Sequence, residues 1–301
     1  QLFRILERLR AEGKTIILIT HKLREIMEIT DTVSVMRRGE MTNTVRTADT
    51  SPAELAEMMV GRKVLLQVDK TPATPGEVVL KVSDLRVRRG GVERLKGVSL
   101  EIRRGEILGI AGVAGNGQTE LLEVLGGMIT ASGGAISLFG SGLDITRSAA
   151  NGQSRRAMGI GHVPEDRQTE GLIMGFEAWE NVAFGYHHDP KYNVGPLMDH
   201  AAIKADCVDK MARYDVRPPN PRLPARSFSG GNQQKIVVAR EMDRAPDLLL
   251  VGQPTRGVDI GAIEFIHRQI IALRDQGKAI LLISVELDEI MGLSDRIAVM
   301  F

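Results

Sequence analysis

Between Glu106 and Leu125 an apolar run becomes a glycine-rich loop and then an apolar helix. Glu106–Ala111 (EILGIA) has the length and character of a buried strand. Gly112–Thr119 reads GVAGNGQT, and Leu121–Leu125 carries the chain on as a helix. The loop also matches G-x-x-x-x-G-K-[ST] at all fixed positions but one. In that pattern backbone N–H groups cradle phosphates, the Lys neutralises the outer ones and the hydroxyl holds Mg²⁺. Gly112, Gly117 and Thr119 are in place, and Gln118 stands where the Lys belongs. A Gln donates hydrogen bonds without charge, a loss on the order of 1–2 kcal/mol per contact. The plain alternative is an ordinary glycine-rich turn.

Ser227–Lys235 (SFSGGNQQK) is the second such stretch. Two adjacent glycines let a backbone approach a ligand closely, and the helix that follows offers unpaired N–H groups and a positive dipole end. Further on, the apolar strand Leu248–Val251 runs into GQPTRGVD, ending at Asp259. Between these motifs, Gly159–Val163 reads as a strand followed by Pro164-Glu165-Asp166-Arg167. Residues 170–226 lack strand signals and hold helical stretches at Trp179–Phe184 and Ala201–Tyr214.

The chain also repeats itself. GKTIILITHKLREIMEITDTVSVM, from Gly13, and GKAILLISVELDEIMGLSDRIAVM, from Gly277, align without a gap and are identical at roughly half their positions. Leu2, Leu6 and Leu9 precede the first copy at helical spacing, as Ile263, Ile266, Ile270 and Leu273 precede the second. The expected elements are a helix capped by Gly13, a buried strand Thr15–Thr20, a helix and a strand Val33–Met36, with their counterparts after Gly277. Residues 51–66 read as a short helix, and 67–76 (QVDKTPATPG) as a linker. From Glu77 a strand to Val82, a charged turn and a strand Val98–Ile102 are expected.

Net charge is +1, which gives no broad electrostatic reason to expect nucleic acid. The Arg pairs 37–38, 88–89, 103–104 and 155–156 read as solvated turns. One cysteine, Cys207, excludes an internal disulfide framework. No apolar run has the length of a membrane span.

In this order and spacing, Gly112–Thr119, SGGNQQK and the strand ending in QPTRGVD resemble the nucleotide-binding subunit of an ATP-binding-cassette (ABC) transporter. The resemblance covers essentially the whole chain. It implies an α/β P-loop NTPase fold with a mixed core sheet, an antiparallel β-subdomain and a helical subdomain at about 170–226. With the repeat, it implies the remainder of a first cassette (1–66), a linker (67–76) and a second cassette (77–301) cut off at Phe301. ATP and Mg²⁺ are the implied cofactors. Gly112, Gly115, Asn116, Gly117, Gln118, Thr119 and Glu120 would contact the nucleotide, with Thr119 on the metal. Glu165 occupies the position of the family's Gln at the turn that links nucleotide to transmembrane partner, and Trp179 is either an anchor for that partner or a core residue.

The family's strand before QPTRGVD ends in Asp-Glu, where this chain has Gly252 and Gln253; its switch His corresponds to Val285 here and to His21 in the first copy. Together with Gln118, these departures touch Lys, Mg²⁺, water and γ-phosphate at once, so the second pocket reads as degenerate. A Gln can still orient water in other phosphoryl-transfer sites. In the family two cassettes face head to tail. The resemblance therefore implies that Ser229, Gly230, Gly231, Asn232 and Gln233 complete the first cassette's site, with His21 as its switch. Asp259 would lie at the cassette interface, or be a plain N-cap, or both.

PEDR, SGGNQQK and PTRGVD-GA are similar to importers of simple sugars, and GVAGNGQT with GQPTRGVDIGAIEFIH is closer to bacterial nucleoside importers. Implied partners are transmembrane permease subunits, an extracytoplasmic binding protein acting through them and the other cassette, at the cytoplasmic face of the inner membrane. Three alternatives stand beside this. A soluble tandem protein acting on ribosomes or DNA would need a basic linker, and 67–76 is nearly neutral. A P-loop kinase or GTPase would need its own Lys and acid. A non-catalytic docking cassette differs from the first reading only in whether Ser229–Asn232 takes part in hydrolysis.

Overall fold

The computed structural model describes residues 2–37, 39–64, 69–139, 143–144 and 151–301. The first two linker residues, 67 and 68, lie outside them. The chain divides into two compact units. One gathers the residues before Asp69 with Asp259–Glu264; the other comprises Asp69–Val258 and Phe265–Phe301.

The first unit holds α1 (Leu2–Ala11), α2 (Leu23–Ile29), an antiparallel pair β1 (Thr32–Arg37) and β2 (Glu40–Arg46), and α3 (Pro52–Val60). Ile26, Val33, Val35 and Leu55 form its core. A reciprocal capping box starts α3: the Ser51 hydroxyl accepts from the Glu54 N–H, and the Glu54 carboxylate accepts from the Ser51 N–H. Gly61 ends it in the left-handed conformation at φ 82°. Thr15–Thr20 is not the buried strand its β-branched content predicts. It has no ladder partner among the described residues, and Ile17 and Ile19 are 88% and 95% exposed. A strand needs a neighbour to receive its N–H and C=O groups. The equivalent segment in the second unit lies between two strands, and this one between none.

In the second unit β3 (Val78–Arg89) and β4 (Val92–Arg103) make a long hairpin. The expected short strands and charged turn are corrected here: both strands run on, and the turn is Gly90–Gly91, with φ 58° and 79°. Two positive φ values suit a two-residue hairpin turn and favour glycine. The charges misled because they alternate with apolar residues. Val87 and Leu95 pair on the buried face. Arg86 bonds Asp84 at 2.9 Å and Glu93 at 3.2 Å outside it. The chain continues through β5 (Ile107–Gly112), α4 (Gln118–Leu125), β6 (Gly133–Leu138), β7 (Leu143–Asp144), α5 (Gly152–Ala157) and β8 (Ile160–Val163). Sheet order β4-β3-β6-β7 is antiparallel throughout.

Next come α6 (Ala178–Ala183), a two-residue pair β9 (Asn193–Val194) and β10 (Leu197–Met198), α7 (His200–Arg213) and α8 (Gly230–Met242). The small β9–β10 pair and an isolated bridge between Glu177 and Pro224 depart from the expectation that 170–226 lacks strands. Buried Lys210 bonds Asp206 at 2.8 Å and Asp243 at 2.7 Å, which holds Asp206 down to about 2 against the opposing effect of its burial. Trp179 is a buried residue of this region. Arg155 is buried in α5, so that pair is not a solvated turn, whereas Arg88, Arg89 and Arg103 are exposed as expected but lie in strands.

Finally β11 (Leu248–Gly252), α9 (Ile260–Asp275), β12 (Ala279–Ile283), α10 (Leu287–Leu293) and β13 (Arg296–Met300) complete the chain. The five strands β13-β5-β12-β11-β8 pair in parallel. Every residue of β11 and β12 is buried, as an inner parallel strand requires. The sequence repeat recurs in local geometry. Gly13 and Gly277 have φ 79° and 80°, and the N-caps of α2 and α10, Lys22 and Glu286, have φ/ψ of −83°/103° and −83°/106°.

The five-stranded sheet carries one acid-sensitive residue. His162, on β8, faces a cavity of about 200 Å³ shared with Arg155, Arg156, Glu170 and Arg240. Burial pushes its imidazole from 6.5 down to about 4, against the pull of Glu241 and with the two arginines adding to the drop. The folded state therefore releases a proton that the unfolded state keeps between those two values. Stability is whole above pH 6.5 and falls as pH drops toward 4, by on the order of 3 kcal/mol. Urea melts of wild type and His162→Gln from pH 7 to 4.5 should show a shallower pH slope in the variant. Equal slopes would remove His162 from the account.

Candidate functional site

Parallel pairing puts the carboxyl ends of β5, β8, β11 and β12 along one edge, where open α/β sheets bind ligands. The register sets Val163 beside Val251 and Gly252 beside Ile283. The turn after β8, the end of β11 and the loop after β5 therefore share that edge.

The loop turns on Gly115 and Gly117, with φ 95° and 100°. At Gly117 a Cβ would stand 2.6 Å from Leu95 Cδ2 and 2.9 Å from the Arg94 carbonyl. At Gly115 it would meet nothing within 4 Å, and Val113 is 78% exposed, so the outer face is open. Among the described residues the N–H groups of Gly117, Gln118 and Thr119 find no acceptor in the protein. Unpaired donors at the start of an eight-residue helix fit a phosphate.

Gln118 is buried, and its amide closes on its own loop. Its Nε2 donates to the Val113 carbonyl at 3.0 Å and its Oε1 accepts from the Asn116 N–H at 3.0 Å. The side chain braces the loop where a Lys would reach outward. The Asn116 amide donates to the Met300 carbonyl at 3.3 Å, and Glu120 lies 3.9 Å from Arg94. Thr119 Oγ1 donates to Glu165 Oε2 at 2.7 Å. Its lone pairs stay open to a cation, so the residues present fit Mg²⁺ held jointly with phosphate oxygens. Gln253, at φ 47°, accepts from the Val285 N–H at 3.3 Å through its side-chain oxygen. Val285 itself is half exposed and brings no polar group.

Ser229–Asn232 open α8 elsewhere in the unit. Ser229 is exposed and accepts from the Asn232 amide at 2.9 Å, while the Asn232 oxygen accepts from the Arg217 N–H at 2.7 Å. Among the described residues none of these bonds reaches the 112–119 loop. Gln233 faces inward. It is buried, donates to the Ala225 and Phe228 carbonyls and accepts from Gln168. One residue beside the site carries no sequence-stretch assignment of its own, Arg167 in the PEDR turn. Its guanidinium donates to the carbonyls of Arg256 and Gly257, and a Cβ on Gly230 would meet it at 2.6 Å. Burial lowers its pKa. A long-range backbone contact of this kind leaves no spacing signal in a sequence.

His21 and Asp259 belong to the first unit. His21 is half-buried just before α2. Asp259 accepts from the Ala262 N–H at 3.0 Å, the N-cap geometry of α9.

The sequence profile of the ABC transporter family matches residues 95–256. The chain is 46% identical over 300 residues to the nucleoside import ATP-binding protein NupA of Lactococcus lactis subsp. cremoris, covering 99% of this chain and 58% of that protein. It is 44% identical to the glucose import ATP-binding protein TsgD13 of Haloferax volcanii, covering 100% of this chain and 54% of that one. The chain thus spans little more than half the length of these relatives. A solved nucleotide-free ATP-binding cassette from an ABC transporter superposes with a TM-score of 0.62 at 21% identity, over 75% of this chain and 88% of that one.

Proposed function

Since the chain belongs to the ABC transporter family, we propose that it is part of the ATP-binding subunit of a membrane importer for a nucleoside or simple sugar. It works at the cytoplasmic face of the membrane with transmembrane permease subunits and, through them, an extracytoplasmic binding protein. Residues 1–66 are the end of a first cassette, 67–76 a linker and 77–301 a second cassette. The repeated cap geometry of α2 and α10 supports this division. No helix among the described residues is long and apolar enough to cross a membrane.

The two ATP sites are unequal, and the observation that carries this is Gln118. Its amide is engaged inside the loop, and no Lys takes its place toward a phosphate. The second cassette's own pocket then retains ATP by backbone donors and metal and does not hydrolyse it: Gly252 offers no ligand atom, and Gln253 cannot take a proton. The Ser229–Asn232 stretch, with Ser229 exposed and donors at the start of α8, is the second cassette's contribution to the first cassette's site, where His21 is the switch residue. Among the alternatives, the docking cassette shares all of this except a role for Ser229–Asn232 in hydrolysis.

Substrate-stimulated ATP hydrolysis by the full-length chain with its permease in membranes tests the assignment. Ser229→Arg and His21→Ala are expected to lower turnover at least 100-fold, about 2.7 kcal/mol of barrier, and Gln253→Ala to change it less than threefold. Loss of turnover in Gln253→Ala with tolerance of Ser229→Arg would invert the assignment.

A further inference from the structure

At the far end of α4 from the 112–119 loop lies the cavity of about 200 Å³ that His162 faces. α4 begins at Gln118, and its C-cap, Gly126, stands in the cavity wall. Eight helical residues span roughly 12 Å, so the two places are separate. α5 contributes Arg155 and Arg156 to the lining, α8 contributes Arg240, and the turn after β8 contributes Glu170. Three arginines therefore line one small space against a single carboxylate, which is itself exposed.

The three are not alike. Arg240 is engaged, with its Nε on Glu241 at 2.7 Å and its Nη1 on the carbonyls of Gly171 and Asn181. Arg155 is 4% exposed and packs over Gly127, where a Cβ would stand 2.8 Å from its Cγ. Arg156 is held in place without a counter-ion. Among the described residues no carboxylate lies within ion-pair distance of it, and its Nε is buried without an acceptor. Its guanidinium lies 5.3 Å from the centroid of the Tyr186 ring, and a Cβ on Gly185 would meet its Cζ at 2.8 Å. Gly185 has φ 81°, so both conformation and space call for glycine there. A partly buried guanidinium with no opposing charge is costly, and an anion in the cavity would remove that cost.

We propose that this cavity binds a small oxyanion of the phosphate or sulfate class, with Arg156 as its principal donor and Arg155 and Arg240 adding positive field. A guanidinium presents its N–H groups as a planar fork that matches oxyanion geometry. The volume exceeds that of a single bridging water and falls below the roughly 300–1,000 Å³ of pockets that enclose larger organic ligands. The field already acts on the neighbours. Arg156 and Arg240 both press His162 toward its neutral form, in which it can still offer one N–H. Burial and the carboxylates of Glu123, Glu165 and Asp166 press Glu170 toward its protonated form, in which it opposes an anion less. None of this requires the 112–119 loop to hold a nucleotide.

Hydrogen–deuterium exchange of the full-length chain, titrated with inorganic phosphate or sulfate at ionic strength held constant with chloride, tests the site. Peptides covering residues 152–171 report on the cavity, and peptides covering 112–119 report on the phosphate loop in the same sample. In wild type, exchange at 152–171 should slow saturably with either ion and not with chloride. Arg156→Gln, checked by thermal melting to be folded, should weaken that response roughly tenfold or more. Glu170→Gln should strengthen it about threefold, because the one opposing charge is gone. An arginine that merely braces the fold predicts no such opposite pair. Glycerol phosphate identifies the source. Protection by inorganic phosphate alone assigns a free ion, and protection by both assigns a phosphate group that may be carried on an organic molecule. A response confined to 112–119 overturns the proposal, as does an equal response in folded Arg156→Gln. No response at 152–171 at millimolar concentrations of either ion would leave the cavity to water and overturn it as well.

Discussion

Gly117→Val is expected to strip ATP from the 112–119 loop, lowering affinity there by roughly two orders of magnitude, about 2.7 kcal/mol. Two costs coincide at this position. Its φ of 100° lies where a β-branched residue is strained, on the order of 1–3 kcal/mol. A Cβ would also press on the Arg94 carbonyl at 2.9 Å and Leu95 at 2.6 Å, both part of the β3–β4 sheet. The carbonyl cannot rotate away without breaking that sheet, so the loop itself must move, and with it the free N–H groups of residues 117–119. Gly115→Ala is the comparison. Its φ is 95°, yet nothing lies within 4 Å of the added atom. Only the conformational cost remains, and affinity should fall about tenfold or less. Mapped photolabelling of the two variants measures the difference. Equal loss in both would mean that φ alone matters, and wild-type labelling in Gly117→Val would remove the loop from the nucleotide site.

The second large effect is on stability. Arg240→Met should destabilise the protein by about 3–5 kcal/mol, lowering Tm by on the order of 10 °C. Arg240 and Glu241 are neighbours on α8, 2% and 0% exposed. The guanidinium meets the Glu241 carboxylate at 2.7 Å and donates to the carbonyls of Gly171 and Asn181. Glu241 also accepts from the Tyr186 hydroxyl at 2.6 Å and the His162 N–H at 3.3 Å. The arginines and this hydroxyl hold its carboxyl below the usual range although burial acts the other way. Removing Arg240 leaves that buried charge without its main partner. Removing both charges with Arg240→Met and Glu241→Gln should recover part of the loss, since the uncompensated ion is what costs most. Calorimetry of wild type and these two variants decides. A single variant that melts within 2 °C of wild type, about 1 kcal/mol or less, would show that the pair contributes little.

Much of this was open to sequence reading because it is local. A strand, a glycine loop and a helix in succession mark a phosphate-binding pattern, and with the two later motifs they point to a family and its α/β fold. Gly13, Gly277 and Asp259 act within a few residues of themselves, and the repeat shows as matched letters before it shows as matched caps. The same locality allowed Gln118, Gly252, Gln253 and Val285 to be read as departures from a phosphate site.

Local pattern could not say where those side chains go. Thr15–Thr20 has a strand's composition, but strand formation depends on hydrogen-bonding neighbours, which come from distant sequence. Alternating charges hid the length of β3 and β4 until pairing showed which face was buried. Gln118 turns inward because the loop offers it a carbonyl and an N–H at 3.0 Å. Glu165 and Gly252 are 87 positions apart in the chain, and only the parallel register of β8 and β11 sets them side by side. The sequence by itself determined the family, the layer architecture and the chemical types available at the site. The tertiary structure decided which of those groups meet, because contact between strand ends depends on sheet order and register, and neither is carried by any single stretch of residues.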